Sequence, residues 1–484
     1  MTKIIGREKQ IRELERLYAK NEPVFLALYG RRGIGKTFLI NELFKDRIAF
    51  KHTGSSPESF GNLSKKEILR IQLEIFADSL REYGADLGHP LSSWREGFQE
   101  LRALLKKKGG EGRKVIFIDE MPWLDVEGSL FVPSFAHFWN DFLCTRGDIM
   151  LIVCGSASSW INNKILQNKK DLYGRVTHEM KLPPFTLRES EELLLSNGID
   201  YRRYQITQAY MILGGIPLYL KYLSEDYTLE QNVDRLFFVK DAKLKREFKE
   251  LFRSTFENGE LAEKTVRLLA TSKSGLSREE IFSKLGKSSG GDITKLLNAL
   301  VDGDFVLKYK SYKTKERYWS YKLVDQFSLF YLKFVENHSM IDEYFWSKNF
   351  LSPSILAWQG NAFETVAFNH IAQIKRKIGI EGLATSESLW YQKGIGNNKG
   401  AQIDLIIERK DNIINLCEAK FTANQYEVDK KDYEKEGERE ASFASVLSKR
   451  SIIQHVLLST FGLKKNAYSD LYKTIVDLDD LFAF

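Results

Sequence analysis

Cysteine and proline are scarce in this 484-residue chain, which has three of the former, Cys144, Cys154 and Cys417, and nine of the latter. None of the cysteines stands in a CxxC or Cys/His spacing, which excludes a disulfide framework and argues against a zinc site. A reducing compartment, the cytoplasm, is therefore the expected location. No run of about 18 apolar residues occurs, and the opening MTKIIGREKQ lacks the apolar region of a signal peptide, so no membrane span is expected. Internal repeats and low-complexity linkers are also missing. Charge of one sign is not dominant: 72 Lys and Arg against 65 Asp and Glu leave a net charge of +7, compatible with a polyanionic partner and equally with ordinary solubility.

An apolar share of 43% and an aromatic share of 13% describe a folded chain, and its length exceeds what one core normally organises. Short apolar runs alternate with helical patterns at the start: VFLALYG (24–30), RIAFKH (47–52), KVIFID (114–119), DIMLIVCGS (148–156) and THEMKLPPF (177–185). That alternation predicts an α/β fold with a parallel sheet over 1–185. Residues 186–258 are helical in pattern, ending in the charged run VKDAKLKREFKELF, and are expected to form a lid. Residues 259–345 give helices followed by an alternating ribbon, the order of a winged helix. Residues 346–484 carry a helix, several strands and a charged helix, a second α/β unit.

Gly30, Arg31, Arg32, Gly33, Ile34, Gly35, Lys36 and Thr37 fit GxxxxGK[ST] between an apolar strand and the helical run FLINELF. Such a loop curls backbone N–H groups around phosphates, with Lys36 reaching the outer phosphates and the Thr37 hydroxyl ligating Mg²⁺. In VIFIDE a buried strand delivers Asp119 and Glu120 to the sheet edge where ligands bind. Asp119 is expected to hold Mg²⁺, and Glu120 to orient or deprotonate water. ATP is the expected cofactor, and Phe38 completes the run of nucleotide contacts.

With these motifs the sequence resembles the AAA+-like ATPases of archaea and bacteria, in the branch near the STAND signalling ATPases. The resemblance includes IIGREKQIREL, DEMPWL and GGIPLYL. It implies that Gly6, Arg7 and Pro217 border the nucleotide and that Ser156 senses the γ-phosphate. It also implies that Arg175 acts on a bound nucleotide, in cis or from a neighbour in a homo-oligomer. In the ribbon, Lys308, Lys310, Lys313, Lys315 and Arg317 beside Tyr309, Tyr312 and Tyr318 offer either a surface for a phosphate backbone or a solubilising edge with its tyrosines packed inward.

In IINLCEAKF, Glu418 and Lys420 share one strand face, and Asp404 interrupts the apolar AQIDLIIE. Pairing the two strands through the loop at 409–413 places residues whose numbers sum to 822 opposite one another, so Asp404 faces Glu418. Two such carboxylates imply a bridging Mg²⁺ or Mn²⁺, with Lys420 placed beside the attacking water and Glu364 as a further ligand or orienter. The order resembles the PD-(D/E)XK nuclease superfamily, with Ile403 where that pattern often has proline. The resemblance implies metal-dependent phosphodiester cleavage, with DNA the expected partner. The expectation is an ATPase whose nucleotide state controls a fused nuclease-like domain. The competing readings are a regulatory switch with a non-cleaving partner-binding domain and a winged-helix DNA-binding regulator.

Overall fold

The computed structural model describes residues 4–61, 63–108, 112–168, 171–286, 290–310, 312, 319–338, 342–392 and 401–483. The chain divides into two compact units, residues 1–183 with 251–259, and residues 184–250 with 260–484.

The first unit is built on five parallel strands, β1 (Val24–Tyr29), β2 (Ile48–Thr53), β3 (Lys114–Asp119), β4 (Ile149–Gly155) and β5 (His178–Lys181). Their order is β2-β3-β4-β1-β5. Near-continuous Val, Ile and Leu in β3 and β4 are what burial on both faces requires. An aromatic core fills one side of the sheet, with Trp94 edge-on to Phe131 at 4.9 Å and Phe98 stacked on Phe138 at 5.3 Å. β5 is shorter than the apolar run around it, because Pro183 and Pro184 cannot donate to a ladder.

The second unit contains two further sheets. A three-stranded antiparallel sheet of order β6-β8-β7 comprises β6 (Leu276–Ser277), β7 (Val306–Lys310) and β8 (Trp319–Leu323). The helices Arg278–Leu285 and Gly290–Asp302 lie between β6 and β7 in sequence. Tyr309 and Tyr312 are buried, the Tyr312 hydroxyl donating to Glu408 at 2.9 Å, so these two tyrosines pack inward. Lys308 and Lys310 lie over the Trp319 ring at 4.8 and 4.6 Å. Lys313, Lys315, Arg317 and Tyr318 lie outside the described residues.

The other sheet has five strands in the order β13-β12-β11-β10-β9. These are β9 (Thr385–Gln392), β10 (Ala401–Arg409), β11 (Ile413–Lys420), β12 (Ile452–Ser459) and β13 (Thr474–Val476). β9, β10 and β11 are antiparallel neighbours, whereas β11, β12 and β13 run parallel. Parallel pairing of β11 and β12 requires a crossover, which the helix Lys430–Ala444 provides. The helix Pro353–Asn369 precedes the sheet and packs on β10 and β11.

The helical segment after β5 begins with Thr186 and Glu189 in a reciprocal capping box over the helix Leu187–Ser196. The charged helix expected over 239–252 is confined to Glu247–Thr255. Val239 adopts an extended backbone after the preceding turn, and Leu244 N–H is spent on the Leu236 carbonyl.

His370 joins distant parts of the second unit. It is fully buried, its Nε2 accepting from Leu187 N–H at 2.9 Å while Nδ1 donates to the Val366 carbonyl at 2.8 Å. This fixes a neutral tautomer, and burial pushes its pKa down to about 4. The stabilisation is fully present above the ordinary histidine value near 6.5 and is lost as pH falls toward 4, by about 1.4 kcal/mol per pH unit. Chemical denaturation of wild type and His370→Gln between pH 7.5 and 4.5 should show wild type losing stability faster over that window. Parallel curves would remove this role from His370.

Candidate functional site

The loop between β1 and the helix Lys36–Leu43 depends on backbone that side chains resist. Gly30 has φ 145, and a Cβ there would sit 2.5 Å from the Leu182 carbonyl oxygen. Gly35 caps the helix at φ 90, in the left-handed region glycine occupies without cost. The buried Lys36 ammonium donates to the carbonyls of Gly30 at 2.8 Å and Arg31 at 3.1 Å, folding the side chain back across the loop. Arg31 is buried, whereas Arg32 donates to the Ser254 hydroxyl at 3.0 Å. Ile34 is buried beneath the loop, and its carbonyl accepts from the Arg7 guanidinium at 3.2 Å, tying the N-terminal GRE element to the loop. Gly6 and Arg7 have φ 60 and 66, the turn that aims Arg7 inward. Gly33 lies within the loop, and Phe38 lies in the first turn of the helix.

The Thr37 hydroxyl donates to Asp119 Oδ2 at 2.7 Å, and Asp119 Oδ1 accepts from Glu120 N–H at 3.0 Å. Glu120 has φ 45, a strained conformation for a non-glycine residue, and turns its carboxylate toward the end of β4. There both the N–H and the hydroxyl of Ser156 donate to Glu120 Oε2, at 3.1 and 2.9 Å. Burial raises the Glu120 pKa; Lys36 opposes this, Asp119 adds to it, and the Ser156 hydrogen bonds again oppose it. Thr37, Asp119, Glu120 and Ser156 thus form one hydrogen-bonded chain along the sheet edge. A hydroxyl and a carboxylate together are hard oxygen donors, which suits Mg²⁺ beside phosphate oxygens. Arg175 lies on an exposed turn of the first unit, and Pro217 opens the short helix Pro217–Leu220 of the second.

In the second unit the register pairs Leu405 with Cys417 and Ile406 with Leu416. The ladder ends there, one residue short of Asp404 and Glu418. The pairing of β10 with β9 shifts by one residue between Ile403 and Ile406, an irregularity that takes in Asp404 and Leu405. Gln402 donates to Asp404 Oδ1 at 2.6 Å. Glu418 is buried, with Lys420 Nζ at 2.9 Å from one carboxylate oxygen and Arg439 at 2.6 Å from the other. Burial pushes Glu418 up, but the two cations outweigh it and hold its pKa below the usual value. Glu364, on the helix Pro353–Asn369, has a pKa pushed up to about 7 by burial and then by Asp404, with Lys322 opposing and Glu418 adding. Glu364, Asp404, Glu418 and Lys420 therefore share one electrostatic neighbourhood. Among the described residues no three His, Cys, Asp or Glu side chains converge closely enough to hold a metal ion. A divalent cation held by Asp404 and Glu418 would compete with the two cations already on Glu418.

Arg439 was not legible as a site residue. It lies on the helix Lys430–Ala444, with Arg439 also pairing with the buried Glu436 at 3.0 Å. Burial, then Glu418, raise the Glu436 pKa to about 7. A signal existed: Glu436, Arg439 and Phe443 are spaced three and four apart, one face of a charged helix that is turned inward.

The sheet order, the glycine-rich loop and the acidic end of β3 define the first unit as a P-loop ATPase fold. Residues 4–223 match a family described as an ATPase domain predominantly from Archaea. An uncharacterized protein of Methanocaldococcus jannaschii is 24% identical over 408 residues, 83% of this chain and 83% of its own. That likeness is longer than the ATPase match and so extends beyond it. Among solved structures, a Walker-type ATPase of Pyrococcus abyssi is 20% identical with a TM-score of 0.48, over 68% of this chain and 96% of its own. The ORC2 protein of Aeropyrum pernix, solved as ADPNP and ADP complexes, is 16% identical with a TM-score of 0.41, over 68% and 93%.

Arg439 tests how far the carboxylate cluster depends on its cation. Arg439→Ala leaves Glu418 and Glu436 without this partner and should destabilise the second unit by about 3–5 kcal/mol. Lys431→Ala, on the exposed face of the same helix, should stay within about 0.5 kcal/mol. Equal urea midpoints for the two variants would show that Arg439 does not hold the cluster together.

Proposed function

We propose that this chain binds and hydrolyses ATP with Mg²⁺, and that its nucleotide state controls a fused, metal-dependent nuclease-like domain acting on DNA. The ATPase part rests on the match at residues 4–223 and above all on the chain of hydrogen bonds from Thr37 through Asp119 and Glu120 to Ser156. Mg²⁺ would be held by Thr37 and Asp119 and would supply charge neutralisation on the phosphates. Lys36 binds the outer phosphates, exchanging its two loop carbonyls for phosphate oxygens. Glu120 orients water and accepts its proton, and Ser156 holds that carboxylate on the β4 side. Gly6, Arg7 and Pro217 border the nucleotide in this reading, and Arg175 stabilises charge on it from the same chain or from a second copy.

For the C-terminal domain the carrying observation is electrostatic proximity: Glu364 lies within the field of both Asp404 and Glu418, and Lys420 pairs with Glu418, next to the β10–β11 ladder that ends at Leu405–Cys417. Asp404 and Glu418 would hold Mg²⁺ or Mn²⁺, which would polarise a phosphodiester and its attacking water. Lys420 keeps its proton, because Glu418 more than offsets burial, and so faces developing negative charge as a cation. The helix–strand–helix–helix–strand–strand order from the helix Gly259–Ala270 through β8 supports a winged-helix reading of the intervening module. A second reading is a regulatory switch whose C-terminal domain binds a partner without cutting. The two cations already on Glu418 favour it.

Lys36→Ala should abolish tight ATP binding, while Glu120→Gln should keep binding and reduce turnover by about 10²–10⁴-fold. Ser156→Ala should lower kcat with little change in ATP affinity. A Glu120→Gln protein hydrolysing ATP at the wild-type rate would remove the role given to Glu120. For the second domain, plasmid and linear DNA are incubated with Mg²⁺ or Mn²⁺, with and without ATP. Cleavage should vanish in Asp404→Ala and Lys420→Ala and should change in Lys36→Ala. Intact DNA with every wild-type sample, alongside normal ATP turnover, would favour the non-cleaving switch.

A further inference from the structure

A cavity of about 610 Å³ lies within the second unit, between the small three-stranded module and the helix Pro353–Asn369. Glu364 lines it, placing one wall of the cavity at the carboxylate neighbourhood of β10 and β11. Two cations of the upstream module stand beside Glu364 in the lining: Lys273, from the turn before β6, and Lys322, from β8. Lys322 is buried, and its ammonium is 3.9 Å from Glu364 Oε2, an ion pair longer than a direct hydrogen bond. Lys273, also in the lining, donates to Asn361 Oδ1 at 3.0 Å from an exposed position. The remaining lining is mixed: Leu329 and Trp358 give an apolar surface suited to the face of a base, and Glu336 is paired with Arg267.

Resting on the nuclease-like reading above, we propose that this cavity takes one or two nucleotides of an unpaired DNA strand beside Glu364. Lys273 and Lys322 bind the phosphates, and the apolar wall receives the base. The volume is that of a drug-sized ligand site, too small for a duplex to enter. A buried cation without a close hydrogen-bonding carboxylate is poised to donate to a phosphate oxygen, and a charge-assisted bond of that kind is stronger than the 3.9 Å pair it supplements. The substrate class is accordingly a single strand, a flap or a frayed end rather than intact duplex. The site is composite, Glu364 coming from the helix Pro353–Asn369 that packs on the C-terminal sheet and the phosphate-binding cations from the small module.

The test uses the full chain with Ca²⁺ in place of Mg²⁺ and measures fluorescence anisotropy of a labelled 20-nucleotide oligo(dT) and of a labelled 20-base-pair duplex. The single strand should bind at least tenfold tighter than the duplex. Lys273→Ala and Lys322→Gln should each weaken oligo(dT) binding several-fold and reduce the slope of log affinity against log salt by about 0.7, the value for one phosphate contact on a single strand. Lys106→Ala, an exposed lysine in the first unit, should change neither. Lys273 is exposed, so its variant reports on binding even if Lys322→Gln folds poorly. Unchanged affinity and slope in Lys273→Ala would overturn the proposal, as would a duplex that binds as well as the single strand or a wild type that binds neither. Thymidine monophosphate displacing oligo(dT) at its own low concentration would also overturn it, in favour of a small-molecule site. Because binding is measured without catalysis, a lysine-dependent single-strand site in a protein that cuts no DNA would retain this inference and reject the nuclease reading.

Discussion

The hydrogen bond from the Thr37 hydroxyl to Asp119 closes a gap that the sheet itself leaves open. Thr37 follows β1 and Asp119 ends β3, and β4 runs between those strands. Two strand spacings, about 9–10 Å, separate the neighbouring backbones. The loop from Gly30 to Gly35 and the start of the helix Lys36–Leu43 cross that distance, which is why the loop needs backbone conformations unavailable to most residues. Ser156 at the end of the intervening strand then lies between the two acidic residues and the loop and holds Glu120. The strand order, the glycines and the four polar side chains are consequences of one another.

Both units place carboxylates at the ends of apolar strands, and burial forces each to find a partner. Glu120 receives two neutral donors from Ser156, which leave its carboxylate raised in pKa and only partly compensated. Glu418 receives two full cations and is held ionised. These are different chemical states built from the same residue type. The first suits a group that must exchange a proton, the second a group that must stay negative.

The parallel sheet and the loop were legible because they depend on local signals: apolar runs of strand length, and glycines at spacings only a phosphate loop requires. The β10–β11 register was legible too, because a short loop between two alternating strands leaves one pairing, and the observed pairs Leu405–Cys417 and Glu408–Ile414 obey it. Arg439, Glu436 and Lys322 were not found. Their roles come from which face of a helix or ribbon meets another element, a tertiary fact that charged sequence conceals when it is taken for solvent-facing surface. The helix Lys430–Ala444 turns a Glu and an Arg inward because Phe443 on the same face anchors it to the sheet.

The carboxylate cluster also explains why Arg439 and Lys420 are both needed. Glu364, Asp404, Glu418 and Glu436 would carry four negative charges in a mostly buried neighbourhood, and a single cation cannot offset that repulsion. Two of the four, Glu364 and Glu436, respond by moving toward the neutral form, and Glu418 stays charged between its cations. A divalent ion arriving at Asp404 and Glu418 would lower the cost of ionising Glu364 and would compete with the cations on Glu418. Metal binding, carboxylate ionisation and the position of Lys420 or Arg439 are then one coupled equilibrium, in which a phosphate-bearing strand beside Glu364 would be a further participant.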